Sequence, residues 1–322
     1  MRNIVLAEKS KGGIALKKIK KTSPIQEMKN SWQLYVLFFL PLLYIIVFHY
    51  IPMYGATIAF KNFNPVQGIL GSNWIGFDHF ERFFKSHEFW RVIKNTLILS
   101  FYQLIASFPF PILLALSLNY VNKKHFKKTV QMISYAPHFI SVVVMVGIIL
   151  VFLEPQGPIN SLLTMMGMEP IHFMGNAGYF KSIYVWSGIW QSVGFGCIIY
   201  LAALSSVSPA LHEAAIIDGA SKLQRIWHID IPGILPITII LLILDMGNIL
   251  NIGFEKALLL QNPLNLRSSE IIDTYVYKVG LVSAVPNYSY AAAIGLFKSI
   301  IGLILIYSVN RFSKKIGQES LW

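Results

Sequence analysis

Two groups of polar residues stand out against a largely apolar chain. The first reads Ser208-Pro209-Ala210-Leu211-His212-Glu213-Ala214-Ala215-Ile216-Ile217-Asp218-Gly219-Ala220-Ser221. Ser208 suits an N-cap and Pro209 the first helical position. Gly219 can take the left-handed conformation that ends a helix, and Ser221 can cap a second one carrying Leu223, Ile226 and Trp227. Pro232 is expected to separate that helix from the apolar run that follows. The segment therefore predicts a helix-turn-helix that presents Glu213 early in its first helix. The second group is Asp245, Asn248, Asn251 and Glu255, spaced by 3, 3 and 4 residues. On a continuous helix these fall within a sector of about 120°. Trp186 and Trp190 share a helix face, with Gln191 beside them. Hydrogen-bonding groups next to aromatic surface have the mixed character of a ligand pocket. The same asparagines equally suit packing against a neighbouring helix, and both readings stand.

Other chemistry lacks its residues. There is no His/Glu metal pair, nucleophile elbow or paired-carboxylate site, and no G-x-x-x-x-G-K-[ST] phosphate cradle. The one cysteine, Cys197, lies in an apolar run and reads as a packed residue. No cofactor is expected in this chain, and it is not expected to be an enzyme.

The elements that position these groups are membrane spans. Of 322 residues, 55% are hydrophobic and only 13% charged. Apolar runs long enough to cross a hydrocarbon core cover residues 33–53, 92–119, 131–153, 183–204, 233–254 and 288–310. The expected fold is thus an all-α membrane protein with six transmembrane helices. The net charge of +12 is distributed as a topology signal, which argues against nucleic acid as a partner. Segments 1–32, 120–130, 205–232 and 311–322 hold 17 Lys and Arg, against 8 in the three alternate loops. The positive-inside rule then places both termini and the loop 205–232 in the cytoplasm. Residues 1–32 form a basic N-terminal segment, 33–310 the six-span transmembrane domain and 311–322 a C-terminal tail. The basic cluster at residues 17–21 favours anionic membrane lipid. Loops 62–73 and 154–178 are rich in Pro and Gly and read as structured. Trp74, Trp90, Tyr179 and Trp186 fall near span ends, as do His49 and His138, where interfacial side chains are favoured. An ion-coupled transporter would carry ionisable residues deep in several spans, and only Asp245 is clearly so placed.

The pattern E-A-A-x-x-D-G-A at residues 213–220, followed by I-x-I-P-x-x-x-P at residues 229–236, resembles the EAA loop of ABC importer permeases. Three further stretches resemble the carbohydrate-uptake family, in its lipoprotein/polysaccharide permease branch. They are Ile75-Gly76-Phe77-Asp78-His79-Phe80 with Lys94-Asn95-Thr96-Leu97, Ile271-Ile272-Asp273-Thr274-Tyr275-Val276-Tyr277, and the final Ser320-Leu321-Trp322. The resemblance covers residues 33–322 and implies a bacterial cytoplasmic membrane protein. It implies ATPase coupling through Glu213, Ala214, Ala215, Asp218 and Gly219. Glu213 would pair with a basic residue of the ATPase, and the alanines would allow close approach. It further implies a second homologous permease, two cytoplasmic ATPase subunits that bind ATP and magnesium, an extracellular solute-binding protein, and a sugar or oligosaccharide as substrate.

Overall fold

The computed structural model describes residues 7–10, 13–16 and 30–315. Most of the basic segment 1–32 and the residues 316–322 of the tail, with Ser320-Leu321-Trp322, lie outside the described residues. The chain divides into two compact units, Met1–Thr57 and Ile58–Trp322.

In the first unit, strands Ala7–Ser10 and Gly13–Leu16 pair antiparallel. The first span starts here and runs Trp32–Phe60, longer than the apolar run alone predicts. It contains a π turn at Ile46–Tyr50. His49 lies in that turn, inside the helix rather than near its end, with Tyr44 edge-on at 5.9 Å.

The second unit holds the remaining five helices long and apolar enough to span: His87–Asn119, Val142–Met165, Phe180–Ser205, Lys222–Gly247 and Tyr288–Arg311. The third differs from its expected limits. A helix Lys124–Tyr135 ends in a 3₁₀ turn at Ala136–Phe139, and a new helix starts at Val142. Pro137 opens that turn, and Ser141 caps the new helix by accepting from the Val144 N–H at 3.4 Å. Residues 131–141 therefore do not belong to one continuous span. His138, within this break, stacks on Phe195 at 4.0 Å.

Three of the buried apolar clusters join spans to one another. Leu99, Met145, Val185, Ala257 and Ile271 bring spans two, three and four against residues beyond span five. Ala115, Cys197, Tyr200 and Ile234 join the ends of spans two and four to the start of span five. Phe83, Val92, Tyr275 and Ile294 join span six to the start of span two.

The loops are folded. Lys61–Asn62 pairs with Asn73–Trp74, and Phe60 stacks on Trp74 at 5.5 Å. Buried Asn160 ties its loop together, donating to the carbonyls of Glu154 at 2.8 Å and Ile171 at 3.0 Å and accepting from the Ile171 N–H at 2.7 Å. The Lys94-Asn95-Thr96 stretch has a structural role of the same kind. Asn95 donates to the Arg267 carbonyl at 2.9 Å and the Glu270 carbonyl at 3.1 Å, and Thr96 accepts from the Ile272 N–H at 2.9 Å. Two of the stretches that carry the family resemblance thus meet, through Thr96 and Ile272.

Candidate coupling loop and translocation cavity

The loop between spans four and five begins at Ser208, whose extended backbone leads into the helix Pro209–Ile217. Proline at the first position loses no helical hydrogen bond, because that N–H has no partner in any case. The Ser208 hydroxyl makes no capping bond. The helix ends at Gly219, at φ +79°. The Ala220 N–H reaches the Ala215 carbonyl at 2.8 Å and the Gly219 N–H reaches Ile216 at 3.1 Å, the paired bonds of a left-handed glycine stop. Ser221 and Gln224 then form a reciprocal cap, with the Gln224 N–H bonding the Ser221 hydroxyl at 3.3 Å and the Ser221 N–H bonding the Gln224 side chain at 2.7 Å.

Pro232 does not separate this second helix from span five. Helix Lys222–Arg225 passes through a π turn at Ile226–Asp230 directly into Ile231–Gly247. The Ile231 N–H reaches back five residues to Ile226, and the widened turn accommodates a proline that has no N–H to give. The second loop helix is therefore an extension of span five, while the helix that carries Glu213 is set off from it by the turn at Gly219.

Glu213, Ala214, Asp218 and Gly219 are exposed and Ala215 is half-buried. Around them Ile217 and Leu223 are 86% and 78% exposed, with Leu211, Ile216 and Trp227 also bare. Apolar side chains gathered on a polar loop mark a contact surface. The inner side of the loop is anchored. His212 Nε2 lies 3.3 Å from Asp230 Oδ1, and the Tyr120 hydroxyl donates to Asp230 Oδ2 at 2.7 Å. Asp230 is fully buried, and the Arg225 guanidinium sits 5.6 Å from the Tyr120 ring centroid. Burial, then the bond to Asp230, pushes the Tyr120 phenol up to about 12. Loop helix, span five and the end of span two meet at this carboxylate.

The second polar group does not share one helix. Span five ends at Gly247, and the chain turns through residues 248–253 before a short helix Phe254–Leu260. Gly253 is at φ +91°, and the buried Tyr184 hydroxyl donates to the Ile252 carbonyl and, at 3.2 Å, to the Gly253 carbonyl. The predicted 120° sector is therefore corrected. Even so, Asp245, Asn248 and Asn251 gather with Gln191 of span four and Ser100 and Gln103 of span two around a cavity of about 450 Å³. Gln191 also donates to the Ile140 carbonyl at 3.0 Å. Asn248 donates to the Leu244 carbonyl at 3.2 Å, and Asn251 accepts from Lys298 at 3.0 Å, which itself bonds Asp273 at 2.7 Å.

Glu255 is exposed and is not among the residues lining this cavity. Nor are Trp186 and Trp190. Trp186 donates to the Tyr102 hydroxyl at 3.1 Å and packs edge-on against Phe110 at 5.4 Å. The sequence reading missed Lys256, which lines the cavity while only 8% exposed. Its ammonium donates to the Tyr184 carbonyl at 2.8 Å and lies 4.7 Å from the Tyr184 ring centroid. Burial alone pulls its pKa down to about 8. The available signal was a cation immediately before the apolar run Ala257-Leu258-Leu259-Leu260, but its neighbour Glu255 makes the pair look like ordinary loop charges. Among the described residues no group of three or more His, Cys, Asp or Glu side chains is placed to hold a metal ion.

These features agree with what the chain resembles. Residues 90–318 match the family model described as binding-protein-dependent transport system inner membrane component. Protein LplB of Bacillus subtilis (strain 168) is 43% identical over 295 residues, covering 91% of this chain and 92% of that protein. The polygalacturonan/rhamnogalacturonan transport system permease protein YteP of the same organism is 42% identical over 310 residues, covering 96% of each. In the crystal structure of a bacterial ABC transporter involved in the import of the acidic polysaccharide alginate, one chain is 40% identical. It superposes with a TM-score of 0.84 over 91% of this chain and 98% of its own length. With six spans and a match across most of its length, the chain belongs to the binding-protein-dependent transport system inner membrane components, the multi-pass permease subunits of ABC importers.

Proposed function

We propose that this permease forms part of the path for a sugar or oligosaccharide across the bacterial cytoplasmic membrane, powered through the loop 205–232. One observation carries the reading: the second loop helix runs through a π turn into span five, the Glu213 helix meets that turn where His212 lies 3.3 Å from Asp230, and span five ends at a polar cavity. A push on Glu213 and its apolar neighbours is then delivered to the groups that would touch the solute. Glu213, Ala214, Ala215, Asp218 and Gly219 contact the ATPase. Asp245, Asn248, Asn251 and Gln191 face the solute. Trp186, Trp190 and Glu255 are left with packing or surface roles.

The partners are a second homologous permease, two ATPase subunits that bind ATP and magnesium, and an extracellular solute-binding protein. Both termini and the loop lie in the cytoplasm. The basic segment 1–32 lies against anionic lipid, and residues 311–322 form the tail. The similarity to YteP and to the alginate importer supports the saccharide class. The test is reconstitution of the chain with these partners in proteoliposomes. Saccharide-loaded binding protein should raise ATP hydrolysis and drive saccharide uptake. A complex that assembles but shows neither response, across acidic and neutral saccharides, would remove the reading.

A further inference from the structure

The cavity at the end of span five holds the ammonium of Lys256. Among the described residues no carboxylate lies within 4 Å of Lys256, Asp245 of the same cavity included. The ammonium has three N–H donors, and the protein engages one of them, with the Tyr184 carbonyl at 2.8 Å. A buried charge is costly unless it is paired, and inside a membrane protein such a group is retained where it is used.

The space beside Lys256 is kept open by Gly188. A Cβ there would lie 3.3 Å from the Lys256 ammonium and 3.5 Å from the Gln103 amide atoms. A substrate group entering next to Gly188 therefore meets an ammonium and a carboxamide together. A carboxylate matches that pair. It has two acceptor oxygens and carries the charge that the ammonium lacks. A hydroxyl would use the geometry and leave the charge uncompensated. Asp245 and Asn248, elsewhere on the lining, suit sugar hydroxyls.

We propose that Lys256, with Gln103, binds a carboxylate of the transported saccharide, so that the path favours uronate-bearing chains over neutral ones. This rests on the saccharide-import reading above.

The test uses the assembled complex in nanodiscs and in proteoliposomes, with trigalacturonate and its methyl ester as probes. Calorimetric titration of the nanodisc complex, without binding protein, should show the acid bound at least about tenfold more tightly than the ester, the scale of a charge-assisted hydrogen bond. Lys256→Met should abolish that difference by weakening the acid while leaving the ester within about twofold, and Lys256→Arg should retain most of it. Uptake of trigalacturonate should fall in parallel. Equal affinity of the wild type for acid and ester would overturn the assignment, as would equal loss of both in Lys256→Met. Wild-type uptake of neutral saccharide without any acid preference would remove this inference alone. Failure of every saccharide to drive uptake or ATP hydrolysis would remove the import reading and this inference together.

Discussion

At the scale of single residues, two buried charged side chains sit where separate elements meet: Lys256 at the cavity and Asp230 beneath the loop. Lys256 is charged at neutral pH and loses its proton as pH rises through about 8. Burial favours the neutral form, so the shift is downward from the ordinary lysine value. If its charge holds the substrate, the acid-over-ester preference declines between pH 7 and 9. In Lys256→Arg the guanidinium stays charged, and the preference should remain flat across that window. Measuring both probes at each pH separates this titration from general effects on the complex. Asp230 is the other case. It is fully buried, accepts a hydrogen bond from Tyr120 at the end of span two, and lies 3.3 Å from His212 of the loop helix. Tyr120→Phe removes one charge-assisted bond, worth roughly 1.5–3 kcal/mol, from the joint between loop and bundle. The expected result is intact ATP hydrolysis with fewer saccharides transported per ATP. An unchanged transport ratio would show that the joint carries no motion.

At the scale of elements, the loop helix and its glycine stop are the parts most open to test. Gly219 at φ +79° has no side chain to crowd, and a β-branched residue there costs at least about 1–2 kcal/mol. Gly219→Val should therefore misdirect the turn. Glu213→Ala should weaken an ion pair with the ATPase by about 1.5–3 kcal/mol. Both variants should insert normally and lose ATPase assembly or coupling, read by co-purification and by stimulated hydrolysis. Normal transport in both would end the coupling role. The turn was legible because its signals are local: Pro209, Gly219 and the Ser221–Gln224 pair lie within a few residues of what they control. The spans were legible for the same reason, as runs of one composition. The end of span five was not. It depends on the Tyr184 hydroxyl capturing carbonyls 68 and 69 residues away. No local pattern announces that contact, so an arithmetic of 3, 3 and 4 residues was carried through a helix that stops at Gly247. Pro232 misled in the opposite direction. Its missing N–H usually marks a boundary, but a π turn absorbs it, and only the backbone shows that.

At the scale of the whole molecule, sidedness decides whether the loop and the cavity can serve an importer. The loop must face the compartment that supplies ATP, and the folded loops around residues 62–73 and 154–178 must face the binding protein. This orientation rests on the distribution of 17 against 8 cations between the two sets of loops. It is directly testable because the chain offers a clean background. Its one cysteine, Cys197, is buried and should resist aqueous thiol reagents. Gly68→Cys places a thiol in the loop after span one, and Lys315→Cys places one at the far end of the chain. A membrane-impermeant maleimide applied to intact cells should label position 68 and spare position 315 until the membrane is opened. Gly68 is at φ +67°, so a cysteine there carries some strain, and the exposed neighbour Gln67→Cys serves as its control. Labelling of position 315 from outside would invert the topology. It would put Glu213 on the side without ATP, and the coupling reading would fall with it.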